Sequence, residues 1–178
     1  MRFSAAPLRQ AAVLVPIYRD AAGDLQLVLV RRGDFGIHGG QLAFPGGKPE
    51  LTDASLVDTA LRETWEETGL PATNVQILAT LPTVSTYGSN FIITPFLGRI
   101  VPPAVWLPME HEIAEVLEVS VRHLTDPSTH QEGEFWSPNR EASARFPFFQ
   151  VGEHRLWGAT YLMVQPLLPR LLAGEWAI

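Results

Sequence analysis

The chain has 178 residues, of which 46% are hydrophobic and 18% are charged. This length and composition predict a single domain over residues 1–178 with a sizeable hydrophobic core. Nineteen acidic against thirteen basic residues give a formal net charge of −6, which argues against a nucleic-acid-binding surface. The absence of cysteine excludes disulfides, thiolate metal sites and a cysteine nucleophile, and it fits a cytoplasmic protein. No segment has the pattern of a signal peptide or a membrane span, so we expect no membrane partner.

Apolar runs bounded by turn residues predict a chain rich in β-strands. A hairpin turn is expected over residues 20–24, and the strand that follows it ends in Arg31 and Arg32. Pro16 indicates that the first strand lies at a sheet edge or contains a bulge. The polar segment 128–145 is expected to form a surface hairpin or an irregular excursion. Strands are predicted at 11–18, 25–30, 75–81, 91–100, 115–119, 146–151 and 154–157.

Two longer helices are predicted among these strands. The first covers residues 53–68, with Asp53 as its N-cap and Gly69 as the residue that ends it. The second covers 159–172, where Pro166 and Pro169 should kink or shorten it. This mixture indicates an α+β fold, or an α/β/α sandwich. The first helix has an apolar arc that should pack on a core: Leu56, Val57, Ala60, Leu61 and Thr64.

Three glutamates lie on one side of the first helix. At about 100° per residue, Glu63, Glu66 and Glu67 fall within an arc of about 100°. Like charges at this spacing repel by roughly 0.2–0.5 kcal/mol per pair. A bound Mg²⁺ or Mn²⁺ accounts for the arrangement, because these cations take oxygen ligands. The same angles turn Glu67 towards the core, where a carboxylate must be paired or bind metal.

The stretch from Gly46 to Leu70 resembles the Nudix box: Gly, five residues, Glu, seven residues, then Arg-Glu-apolar-any-Glu-Glu-any-Gly-apolar. The second half matches from Arg62 onwards, with a threonine in the apolar slot. The first half is one residue longer than the pattern, and its early glutamate is either replaced by Asp53 or displaced to Glu50. The resemblance implies a Nudix-like mixed sheet with a catalytic helix and a C-terminal helix.

The segment 38–47, HGGQLAFPGG, is similar to the one that precedes the box in the coenzyme A pyrophosphatase branch of that family. The extra residue in the box is also usual in that branch, as is a preceding strand that ends in arginines. Gly36 stands where the branch usually has an arginine. Further segments similar to the branch follow in the same order, at 86–88, 93–96, 112–119 and 156–160.

The residues and the resemblance together suggest a set of roles. Glu63, Glu66 and Glu67 are the predicted metal ligands, and the glycine backbone makes the Gly46 carbonyl a further one. Arg62 is expected to orient a carboxylate, as the family's arginine does. The general base is left open among Glu66, Glu67, Glu112 and Glu115. The residues expected at the substrate and its phosphates are Arg31, Arg32, His38, Gln41, Gly47 and Lys48.

The resemblance implies metal-dependent cleavage of coenzyme A, or its acyl form, into 4′-phosphopantetheine and adenosine 3′,5′-bisphosphate. One alternative is a Nudix hydrolase of ADP-ribose, a dinucleotide or a nucleoside triphosphate, which the departure at Gly36 leaves open. Another is a nucleotide-sensing module without catalysis, which would not need to keep Arg62 and the three glutamates together. The fold often dimerises, so a homodimer is expected by analogy.

Overall fold

The computed structural model describes residues 8–34, 36, 39–86, 90–137 and 142–178. Within these ranges the predicted strands and both long helices are present, with bounds that differ by a few residues. The strands are β1 (Arg9–Arg19), β2 (Leu25–Arg32), β3 (Leu42–Ala43), β4 (Gly46–Gly47), β5 (Val75–Thr80), β6 (Val84–Ser85), β7 (Phe91–Ile100), β8 (Ile113–Ser120), β9 (His130–Ser137), β10 (Ala142–Val151) and β11 (His154–Leu156). The α-helices are α1 (Leu56–Thr68), α2 (Val121–Thr125) and α3 (Gly158–Leu172).

The larger sheet is mixed and is built around β1. Its strand order is β3-β2-β1-β7-β5, and β4, β6 and β8 pair additionally with β1, β7 and β2. Strand β1 runs parallel to β7 and antiparallel to β2 and β4. The smaller sheet has the order β11-β10-β9, so the predicted surface hairpin is formed by β9 and β10.

The expectation that Pro16 marks a sheet edge or a bulge is wrong. Strand β1 has neighbours on both sides, and Pro16 itself is paired in register with Gly98 of β7. On the other side β1 pairs with β4 at residues 12–13 and with β2 at residues 17–19. Pro16 lies between these two pairings, where a missing N–H breaks no ladder, so the sheet interior tolerates it.

Alternate residues of β1 face two separate apolar clusters, as expected for a strand with period two. Val15 and Ile17 face the cluster that also contains α3 and the inner face of the small sheet. Leu14 and Tyr18 face the cluster that contains α1. Helices therefore cover both faces of the larger sheet, and the predicted α+β class with an α/β/α sandwich is confirmed.

Helix α3 continues through both of its prolines to Leu172, so they do not shorten it, and the alternative of a kink stays a prediction. Its buried residues recur on one face of the helix and fill the core beneath the sheet. Burial on this scale outweighs the roughly 3 kcal/mol that a proline costs in a helix interior. The buried side chains on this face are Met163, Val164, Leu167, Leu168 and Leu171. None of the helices in the described part of the chain has the length and apolarity needed to cross a bilayer.

Candidate active site

Helix α1 begins three residues later than the sequence predicted, and its N-cap is Ser55 rather than Asp53. The Ser55 hydroxyl accepts a hydrogen bond from the Asp58 N–H at 3.2 Å and donates to the Asp58 carboxylate at 2.8 Å. Asp53 is instead committed to Arg62, which explains why it does not cap the helix. The helix ends as predicted at Gly69, whose φ of 75° suits glycine and whose N–H donates to the Trp65 carbonyl.

Arg62 is held in place by a two-point ion pair with Asp53. Its Nε lies 2.9 Å from Asp53 Oδ1 and its Nη2 lies 3.0 Å from Asp53 Oδ2. Hydrogen bonds from the guanidinium hold the pKa of Asp53 well below its usual range. Glu50 is more distant, at 3.8 Å from Nη1. Of the two candidates for the early acid of the motif, Asp53 therefore makes the closer contact with the arginine.

The opposite edge of the Arg62 guanidinium contacts two of the three glutamates. Its Nη1 lies 3.2 Å from Glu63 Oε1 and 3.1 Å from Glu66 Oε2. Its Nη2 also donates to the Lys48 carbonyl at 3.0 Å, which ties the helix to the glycine segment. Because Asp53 anchors one edge of the guanidinium, the other edge presents a fixed positive charge between Glu63 and Glu66.

Glu67 is turned into the protein, as its position in the helix predicted. Its side chain is 3% exposed, and its Oε2 accepts a hydrogen bond from the Gly46 N–H at 3.1 Å. Burial raises the pKa of Glu67 to about 7, although the Gly46 hydrogen bond and the charge of Arg32 oppose that shift. The neighbouring carboxylates of Glu63 and Glu112 add to the rise.

Two glycines bring bare backbone against these carboxylates. Strand β4 pairs with β1, and Gly46 adopts a φ of +155° in which a Cβ would overlap the Ala12 carbonyl. A Cβ on Gly47 would overlap the carboxylate of Glu63. Burial raises the pKa of Glu63 above its usual value. The missing side chain at Gly47 therefore lets Glu63 lie against the backbone, and the one at Gly46 lets β4 approach β1 closely.

The donor set fits a hard divalent cation, although the carboxylates do not converge as they would around a bound ion. Within the described ranges, no three acidic or histidine side chains are close enough to share a metal. Arg62 separates Glu63 from Glu66, and it neutralises part of their repulsion. The buried carboxylate of Glu67, whose pKa is raised, lies beside Glu63 and the backbone of Gly46 and Gly47. Carboxylate and carbonyl oxygens of this kind are the ligands that Mg²⁺ and Mn²⁺ prefer.

The two arginines at the end of β2 face opposite sides of the sheet. Arg32 has the same parity in β2 as Val28, which packs in the α1-side cluster, and its charge lowers the pKa of Glu67. Arg31 pairs with Asp34 at 3.1 Å and with Glu115 at 3.8 Å. Its Nε is buried and has no hydrogen-bond partner among the described residues. The structure thus brings Arg32, and not Arg31, to the three-glutamate cluster.

The same division separates Glu112 from Glu115. Glu115 Oε2 lies 3.8 Å from Arg31 Nε and 3.9 Å from His154 Nε2, towards the small sheet. Glu112 instead donates its N–H to Met109, whose own N–H donates to the Glu67 carbonyl, and its charge raises the pKa values of both Glu63 and Glu67. Glu112 is therefore the better placed of the two downstream glutamates for chemistry at the cluster.

The remaining predicted substrate residues surround the same region. The carbonyl of Gln41 accepts from the Arg32 N–H at 3.0 Å, so Gln41 adjoins the arginine that faces the cluster. Lys48 Nζ lies 5.6 Å from the centre of the Phe91 ring. His38 lies outside the described residues.

Sequence reasoning missed two contacts that shape this site. The pairing of Asp53 with Arg62 was signalled by an acid near the position of the motif's early glutamate, but Asp53 was assigned to the helix cap. The hydrogen bond from Trp106 to Glu118 joins the connection after β7 to strand β8, and no local sequence pattern predicts it. That bond lies in the connection which also carries Glu112.

Comparison with known proteins decides the family. The NUDIX domain model matches residues 8–146. The chain belongs to the Nudix family. A curated relative, "Uncharacterized Nudix hydrolase NudL" of Pectobacterium atrosepticum, is 45% identical over 111 residues, which are 62% of this chain and 57% of that protein. The chain thus matches little more than half the length of that Nudix relative.

Solved structures agree on the Nudix fold. The Nudix hydrolase RenU of M. smegmatis has a TM-score of 0.57 at 23% identity, covering 68% of this chain and 76% of its own. A MutT/nudix family protein of Enterococcus faecalis has a TM-score of 0.60 at 15% identity, covering 98% of this chain and 64% of its own. At these identities the likeness concerns the fold alone. The single domain, the cytoplasmic location and the homodimer stay predictions.

Proposed function

We propose that this protein is a Mg²⁺- or Mn²⁺-dependent hydrolase of a nucleotide pyrophosphate bond. The observation that carries the proposal is the buried carboxylate of Glu67, held by the Gly46 N–H beside Glu63 and Glu66. Burying an ionisable group such as Glu67 lowers the stability of the folded protein unless a bound ligand offsets the cost. Family membership supplies the matching chemistry.

In this proposal Glu63, Glu66, Glu67 and the Gly46 carbonyl hold the cation. When bound, the cation neutralises charge on the phosphate oxygens and lowers the pKa of a bound water. Arg62 orients Glu63 and Glu66, because Asp53 fixes the far edge of its guanidinium. The same contact offsets part of the repulsion between the two carboxylates.

The proposed general base is Glu112, with Glu66 and Glu67 as the alternatives. Glu112 is exposed, and its charge acts on Glu63 and Glu67, so it lies near the cluster without being buried in it. An exposed carboxylate can accept a proton from the attacking water and pass it to solvent. Glu115 is a weaker candidate, because its carboxylate lies near Arg31 and His154.

The proposed substrate is coenzyme A or acyl-coenzyme A. The support is the resemblance of residues 38–47 to the coenzyme A pyrophosphatase branch, together with Arg32 at the cluster and Lys48 and Gln41 nearby. Cleavage would give 4′-phosphopantetheine, or its acyl form, and adenosine 3′,5′-bisphosphate. The alternative substrates remain ADP-ribose, a dinucleotide or a nucleoside triphosphate, since Gly36 departs from that branch.

The test is product identification with purified protein. Coenzyme A, an acyl-coenzyme A, ADP-ribose, a diadenosine polyphosphate and dATP are each incubated with Mg²⁺ or Mn²⁺, and products are separated by mass. We expect the coenzyme A substrates to be cleaved fastest and every activity to stop with a chelator. Faster cleavage of another substrate would replace the coenzyme A assignment, and turnover of none would favour the sensing module.

A further inference from the structure

The loop 101–112 joins β7 to β8 and carries Glu112 to the carboxylate cluster. It rests on the last turn of helix α1, where the Leu107 N–H donates to the Thr68 carbonyl at 3.0 Å and the Met109 N–H donates to the Glu67 carbonyl at 3.2 Å. A Cβ on Gly69 would come within 2.9 Å of the Leu107 Cβ, so the glycine allows this close approach. The loop therefore uses helix carbonyls that otherwise lack partners.

Trp106 ties the same loop to strand β8. Its ring packs on the α1-side cluster, and its Nε1 donates to Glu118 Oε1 at 2.9 Å. Tyr18, whose ring is buried, belongs to the same cluster, and burial together with the Glu118 carboxylate raises the pKa of its hydroxyl. Trp106 thus links the loop to β8 through Glu118.

Backbone hydrogen bonds fix the shape of the loop between Trp106 and Glu112. The Met109 carbonyl accepts from the Glu112 N–H at 2.9 Å and from the Ile113 N–H at 2.8 Å, which forms a tight turn. The Glu112 carbonyl accepts from the Gly33 N–H at 2.7 Å, at the end of β2. A displacement of the loop at Trp106 would therefore move the Glu112 side chain relative to Glu63 and Glu67.

We infer that Trp106 is a positioning residue, which acts through its hydrogen bond to Glu118 to hold Glu112 against the three-glutamate cluster. The inference rests on the proposed function and adds a residue that neither the motif nor the helix contains. In this inference the contribution of the loop is the orientation of the Glu112 carboxylate. An error of about 1 Å in such a group can cost on the order of a hundredfold in rate.

The experiment compares Trp106→Phe with the intact protein in steady-state hydrolysis. Phenylalanine keeps most of the ring packing but removes the N–H donor. We expect kcat to fall by about tenfold or more while KM changes by less than about twofold. Trp136→Phe, at an exposed position on β9, is the matched control and should retain wild-type kcat. Glu118→Gln keeps an oxygen acceptor and should retain most activity, whereas Glu118→Leu should mimic Trp106→Phe.

A double-mutant cycle separates positioning from general damage. If Trp106 acts through Glu112, Trp106→Phe should have little further effect on kcat in a Glu112→Gln background. Equal losses in both backgrounds would overturn the inference, as would a wild-type kcat for Trp106→Phe.

Hydrogen exchange provides a readout that does not depend on turnover. The inference predicts faster exchange at the Leu107 and Met109 amides of Trp106→Phe, with unchanged exchange in α3. Unchanged exchange at those two amides would contradict it. Failure of the wild type to cleave any pyrophosphate would count against the proposed function, while the exchange data would still test the loop anchor.

Discussion

The two faces of the larger sheet are covered in different ways. On the face beneath α3 and the small sheet, the buried residues are almost all aliphatic or aromatic. On the face beneath α1, the helix buries Ala60 together with the polar side chains Thr59, Thr64, Glu67 and Thr68. The α3 face therefore buries apolar side chains for stability, whereas the α1 face also buries the ionisable side chain of Glu67.

Most of the buried polar side chains of α1 form hydrogen bonds within the helix, so they do not compete for a ligand at the site. Thr64 and Thr68 donate to the carbonyls one turn earlier, at 2.6 Å each, so their hydroxyls are satisfied within the helix. Glu67 is the buried ionisable residue among them, and it is directed to Gly46. The comparison suggests that substitutions on the two faces should separate activity from stability.

The largest effect is expected from Glu66→Gln on the α1 face. Glu66 is partly exposed and contacts Arg62, so its loss should leave the fold intact while removing a proposed ligand. Turnover should fall by about two to three orders of magnitude, with little change in the denaturant midpoint. Glu134→Gln, exposed on β9, is the control for loss of one surface charge. A near-normal rate for Glu66→Gln would remove Glu66 from the ligand set.

Leu167→Ala should do the reverse on the α3 face. Leu167 is 2% exposed, and its truncation should lower the free energy of unfolding by about 2–5 kcal/mol. The rate per folded molecule should stay close to wild type, because the side chain lies across the sheet from the carboxylates. Chemical denaturation and kinetics on the same sample check both parts. A large loss of kcat in folded Leu167→Ala protein would contradict the claim that the α3 face affects stability and not activity.

Gly47→Ala tests the contact between backbone and carboxylate with one methyl group. The new Cβ would overlap Glu63, so the carboxylate must move. We expect a loss of about tenfold or more in kcat/KM and a destabilisation of about 1–3 kcal/mol. In Gly23→Ala the new Cβ meets no atom, but the φ of +85° disfavours alanine, so this variant should lose stability and keep its kcat/KM, which separates the two effects. Activity equal to that of the Gly23 variant would show that Glu63 need not lie on the backbone.

The smallest effect concerns pH. The folded-state pKa of Glu67, about 7, is raised above its unfolded value, so the folded protein binds more protons between them. The contribution to stability is therefore full below about pH 4.5 and lost as the pH rises through about 7. Thermal unfolding in chelator should show this decline, and Glu67→Gln should flatten it. Added Mn²⁺ should stabilise the protein most at the upper end, because it favours the ionised carboxylate.

Local patterns predicted the parts of this protein that depend on neighbours in sequence. Helical angles alone placed Glu67 towards the core, and apolar runs located the longer strands, but not β4, β6 or the polar strand β9. Turn residues located the hairpin at 20–24 and the end of α1 at Gly69. These features follow from backbone geometry and side-chain period, which the sequence displays directly.

Contacts between distant segments were not predictable in the same way. Asp53 had two competing partners, the helix N-terminus and Arg62, and the charged donor prevailed. Arg31 and Arg32 are adjacent in sequence, yet they face different sides because successive residues of a strand alternate. Trp106 and Glu118 meet through the connection from β7 to β8, for which no periodic signal exists. Tertiary packing decides such pairs.

The most direct test of the account is a crystal structure with Mn²⁺ and a slowly hydrolysed coenzyme A analogue. The account predicts anomalous density within about 2.5 Å of carboxylate oxygens from Glu63, Glu66 or Glu67, with the pyrophosphate bound to the same ion and facing Arg32. It also predicts Glu112 within reach of a water on that ion. Manganese bound elsewhere, with the three glutamates still arranged around Arg62 and the analogue present, would contradict the account.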